Sequence, residues 1–106
     1  MKKYSLTRDG IRPLAFTGEQ IANDSTHSHQ GSRQNRWHEV TVYRTAKGKI
    51  IVQIEYHTCW QGESDRNSAQ VFDDLPSAVA FLESEDGQPE LAASIASELG
   101  VSEEIE

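Results

Sequence analysis

Residues 36–60 hold two strand-like runs of alternating branched and polar side chains, separated by Ala46-Lys47-Gly48. No other stretch limits the fold of this chain as tightly. A three-residue connection ending in Gly suits a type I turn closed by a residue in the left-handed region. Pairing Thr45 with Lys49 then sets the register by counting outward. Val42 faces Val52, Val40 faces Ile54, and His38 faces Tyr56, with Ile50 on the same side. Side chains alternate along a strand, so the other side carries Trp37 with His57, Glu39 with Glu55, and Tyr43 with Ile51. A slip by one residue would mix Val40 and Val42 with polar neighbours, so the hydrophobic pattern selects this register. The Val40 side is the expected core face. The Trp37 side is expected to be wholly or partly open.

The flanking segments are read by the same means. Lys3–Thr7 is a short strand followed by a turn at Asp9-Gly10, and Pro13 suits an edge or irregular position. Thr17-Gly18-Glu19-Gln20 resembles a capping box and predicts a short helix over 17–24, with Phe16 and Ile21 as staple partners. Residues 23–35 carry no aliphatic or aromatic side chain and are expected to form a mobile polar loop. After Trp60, residues 61–67 form a polar connection and Ser68–Asp73 a third strand with Val71 and Phe72. Leu75, Ala78, Val79 and Leu82 share one helical stripe, with Asp73, Asp74 and Pro76 at its start and Gly87 at its end. Leu91, Ile95 and Leu99 predict a second helix from Pro89, stopped by Gly100, and 101–106 read as a frayed acidic tail. The expected fold is α+β: an antiparallel meander of three to four strands, C-terminal helices packed on one face, and a short N-terminal helix.

At 106 residues the chain is expected to be a single domain, 1–106. Cys59 is its one cysteine, which excludes an internal disulfide framework. The opening Met-Lys-Lys is not followed by an apolar stretch of the signal-peptide kind, and no run approaches the ~18 apolar residues of a membrane span. A cytoplasmic protein is expected. The net charge of −7 is uneven: residues 1–50 carry nine Lys/Arg against four acids, for +5, and residues 51–106 carry one against thirteen, for −12.

Phosphate-loop, dinucleotide, His-Glu-x-x-His and Cys-x-x-Cys motifs are all absent. The side of the hairpin bearing Trp37, Glu39, Tyr43, Glu55 and His57 is therefore the candidate binding surface. Like charges directly opposite one another, as in Glu39 and Glu55, are destabilising and ask for a compensating partner. Exposed Trp and Tyr suit protein interfaces, so a non-catalytic domain that contacts a protein partner, or a second copy as a homodimer, is the leading expectation. Arg33, Arg36, Arg44, Lys47 and Lys49 interleave with Trp37 and Tyr43 and suggest single-stranded nucleic-acid contact as the alternative, against which the net acidity weighs. A metal or enzymatic site around His57 and Cys59 ranks third. His27-x-His29 and His57-x-Cys59 offer ligands of the right type without a standard intervening spacing, and His57 with Cys59 is too loose a pair for a nucleophile and its base. No metal and no cofactor are expected.

Overall fold

The computed structural model describes residues 1–26, 36–58, 62, 64–84 and 87–101. Five antiparallel strands lie side by side in chain order: β1 (Lys2–Arg8), β2 (Ile11–Ser25), β3 (Arg36–Thr45), β4 (Ile50–Thr58) and β5 (Arg66–Phe72). Two helices follow, α1 (Leu75–Glu83) and α2 (Pro89–Leu99). The α+β class and the helices over one face agree with the sequence. The strand count does not, because the segment read as a helix is a strand.

The β3–β4 hairpin has the register counted from its turn, from Arg36 opposite Thr58 to Arg44 opposite Ile50. Thr45 N donates to Lys49 O at 2.8 Å and Gly48 N to Thr45 O at 2.9 Å. Gly48 takes φ +88°, the left-handed conformation that closes such a turn. On the convex side Val40, Val42, Ile50 and Val52 are at most 2% exposed and pack with Ala22 beneath Ala78, Leu82, Leu91, Ala92 and Ile95 of the helices. Each fully buried aliphatic contributes roughly 1.5–3 kcal/mol. Asp74 caps α1 by accepting from Ser77 N at 2.8 Å, with Pro76 in the first turn, and Gly100 ends α2 at φ +74°.

Residues 17–24 correct the expected N-terminal helix. They lie in the 15-residue β2, whose first half pairs with β1 and whose second half, from Gly18 onward, pairs with β3. Two features hid this strand. The register shifts between Gln20 and Ala22, leaving Ile21 without a partner, and such a bulge breaks the period of two. Gly18 also supplies no side chain to the alternation. It is small because a Cβ there would sit 2.3 Å from the Arg44 carbonyl oxygen. Asn23, Asp24 and Ser25, expected to open a mobile loop, extend β2, and Thr26 is buried with its Oγ1 accepting from His38 N at 3.0 Å. The rest of that expected loop, 27–35, and tail residues 102–106 fall outside the described residues.

The sheet curls until its ends meet. Asp9 N donates to Asn67 O and Asn67 N donates to Asp9 Oδ2, both at 3.0 Å, joining the β1–β2 turn to β5. The curl builds a second core on the concave face, where Leu6, Tyr43, Ile51 and Ala69 are buried against Tyr4, Leu14 and Phe16. Among the described residues no helix is long and apolar enough to cross a membrane.

Two substitutions test this architecture by urea unfolding. Leu82→Ala empties a fully buried site and is expected to cost about 2–5 kcal/mol. Gly18→Ala forces a Cβ against backbone and is expected to cost about 1–3 kcal/mol. A near-neutral Gly18→Ala would contradict the close crossing of β2 and β3.

Candidate functional site

Alternation places Trp37, Glu39, Thr41 and Tyr43 of β3, with Ile51, Gln53, Glu55 and His57 of β4, on the concave face. The curl divides this row into two zones. Toward the hairpin turn, Tyr43 and Ile51 are 6% and 1% exposed. Tyr4 and Phe16 cover Tyr43, with ring centroids 4.8 and 5.3 Å from it, and the Tyr43 hydroxyl bonds Gln53 Oε1 at 3.0 Å. Burial, and then the neighbouring Tyr4, pushes the Tyr43 phenol upward from its usual titration. Tyr43 is therefore core, which corrects its expected place on an exposed binding surface. The N-terminal hairpin that covers it looked in the sequence like a strand followed by a helix.

At the far end the other four candidates come together as a half-buried mouth. Trp37 stacks on His57, with centroids 5.2 Å apart and 27° between planes. His57 Nδ1 lies 3.3 Å from Asp65 Oδ2, and Asp65 Oδ1 accepts from Thr58 N at 3.0 Å. The Thr58 amide, and then His57, hold the Asp65 carboxyl below the usual carboxylate range. An ionised carboxylate only accepts, so the proton of the Asp65–His57 contact belongs to Nδ1. In the neutral ring Nε2 then carries a lone pair. It faces Glu39 Oε1 and Glu55 Oε2, each 3.6 Å away and too far for a sound hydrogen bond. In that neutral tautomer the three converging atoms are all acceptors.

Supporting contacts hold these acceptors in place. Asn23 Nδ2 donates to the second Glu39 oxygen, Oε2, and to Thr41 Oγ1, both at 2.9 Å. Burial first, then the charge of Glu39, pushes the Glu55 carboxyl above its usual titration. Neither Asp65 nor Asn23 is marked in the sequence: Asp65 sits in a polar connection with no periodicity, and Asn23 in a strand whose alternation is broken. Among the described residues, one surface depression lies between the β1–β2 turn and β5, lined by Arg8, Asp9, Ile11 and residues 67–71, and another lies beside His38, Tyr56, Arg66 and Gln88.

Among the described basic candidates, Arg36 stands apart from Arg44, Lys47 and Lys49. Arg36 and Arg44 lie on the convex side at opposite ends of β3, eight residues or about 26 Å apart. Lys47 is at the turn, and Lys49 pairs with Asp73. Arg33, His27, His29 and Cys59 fall outside the described residues. No protein-family model, curated protein or solved structure was found to match this chain.

The repulsion between the facing glutamates predicts that Glu55→Gln stabilises the unliganded domain at neutral pH by about 0.2–1 kcal/mol, the usual scale of a cross-strand pair. The sign follows from linkage: the folded Glu55 titrates above its unfolded counterpart, so its penalty is complete above the folded pKa and absent below the unfolded one. Urea titrations of both proteins across the acidic range should show the variant's advantage vanish as pH falls. A less stable variant at neutral pH would contradict the repulsion.

Proposed function

We propose that this chain is a non-catalytic binding domain whose working surface is the mouth formed by Trp37, Glu39, Glu55 and His57, and that the mouth takes positive charge. The observation that carries this reading is the convergence of His57 Nε2 with one oxygen each of Glu39 and Glu55, both 3.6 Å away. Half-burial weakens solvent screening of the two carboxylates, so a cation between them gains more than it would in water.

A second reading, docking of a basic segment from a partner protein, is favoured by Trp37. Its ring is half-buried and stacks on His57 beside the acidic cluster, an aromatic setting that suits a guanidinium paired with the carboxylates. Aromatic anchors of this kind carry a large share of protein-interface energy. The mouth replaces the wider surface that included Tyr43, and nucleic acid fits it poorly because its charge has the wrong sign.

Titration of the nitrogen-15-labelled protein with a tri-arginine peptide and, separately, with zinc chloride tests this reading. With at least one probe, shift changes should centre on Trp37, Glu39, Glu55, His57 and Asp65, and should disappear in the Glu39→Gln/Glu55→Gln double variant. Changes centred elsewhere, or none with either probe, would overturn it.

A further inference from the structure

The geometry points to a divalent transition-metal site in which His57 Nε2, Glu39 Oε1 and Glu55 Oε2 are the protein ligands. This assignment rests on the reading of the mouth as a cation site and names the cation. The three ligand atoms lie within 4.8 Å of one another, and Nε2 is 3.6 Å from each carboxylate oxygen. Ligands about 2.0–2.2 Å from a tetrahedral zinc ion stand roughly 3.4 Å apart. The imidazole thus needs almost no movement to share an ion with either glutamate, and the two glutamates need only a small approach to each other.

The ligand set and its surroundings separate a metal from a basic side chain. A lone pair on imidazole nitrogen is a metal ligand, whereas toward the ammonium of Lys or the guanidinium of Arg it is only a weak acceptor beside two carboxylates. Metal-bound histidines generally donate their second ring N–H to a carboxylate or carbonyl, which fixes tautomer and ring angle. Asp65 does this at Nδ1, and is itself fixed by the Thr58 amide. The carboxylate ligand Glu39 is likewise oriented, by Asn23. One nitrogen and two oxygens suit Zn²⁺ or Mn²⁺, while Ca²⁺ requires six to eight oxygens. Three protein ligands leave a fourth position to water.

Isothermal titration of the whole chain with zinc chloride alone tests the assignment, with calcium chloride as the control. One ion per chain should bind, with calcium much weaker. Glu39→Gln, Glu55→Gln and His57→Asn should each weaken zinc at least tenfold. Asp65 is a positioning residue: Asp65→Asn should weaken zinc about 10–100-fold, with partial recovery in Asp65→Glu. Arg44→Gln, on the opposite side of the sheet and near the hairpin turn, should leave zinc affinity unchanged. Glu55→Gln guards against a folding artefact, because that variant is expected to be more stable than the parent. Zinc binding indifferent to the glutamate and His57 variants would place the metal on other residues and overturn the site. Tri-arginine binding at the mouth without zinc binding would overturn the metal and leave the cation reading standing. If neither probe binds, both readings fall.

Discussion

Register in the β3–β4 ribbon governs everything else. The pairs that bury Val40, Val42, Ile50 and Val52 under the helices are set by the same count that puts Glu39 opposite Glu55 and Trp37 opposite His57. With a side-chain period of two, the core cannot be formed without bringing those acids face to face. The hydrophobic term is by far the larger. Several aliphatics at roughly 1.5–3 kcal/mol each outweigh a like-charge pair of at most about 1 kcal/mol. The fold therefore holds a local electrostatic conflict in place, half shielded from water, which a cation would relieve.

The curl of the sheet decides which part of the concave face is free to act. Because β2 bends across β3 at Gly18, the β1–β2 hairpin swings over the turn end of the concave face and lands on β5 through Asp9 and Asn67. Tyr43 and Ile51 become a second core, and Trp37, Glu39, Glu55 and His57 remain at the rim. Asn23, at the far end of the same strand, then reaches Glu39. One long bent strand thus contributes both the cover at one end and an orienting donor at the other.

Much of this was legible in the sequence, and the limits have physical causes. Ala46-Lys47-Gly48 and the flanking valines specify the hairpin residue by residue, since turn chemistry and alternation agree. Both helices are legible from their stripes and from Asp74, Pro76, Pro89 and Gly100. β2 is not, because a bulge at Ile21 and a glycine at 18 interrupt its alternation while Thr17 and Gln20 imitate a helix cap. The closure of β1 onto β5 rests on long-range contacts that no local pattern encodes, and with it the burial of Tyr43. The four residues of the mouth could be placed on one face by counting. Asp65 could not, because its role comes from the path of the β4–β5 connection, and without it the tautomer of His57 is undetermined.

Cation binding at the mouth turns on one imidazole nitrogen, whose protonation can be observed. Nitrogen-15 NMR of the histidine rings at mildly alkaline pH, with His57 assigned by its absence in His57→Asn, distinguishes a protonated pyrrole-type nitrogen from a bare pyridine-type one. A protonated Nδ1 held by Asp65 and a bare Nε2 turned toward Glu39 and Glu55 are expected. A protonated Nε2 in the neutral ring would place a donor between the carboxylates and remove the convergence of lone pairs on which the proposed site depends.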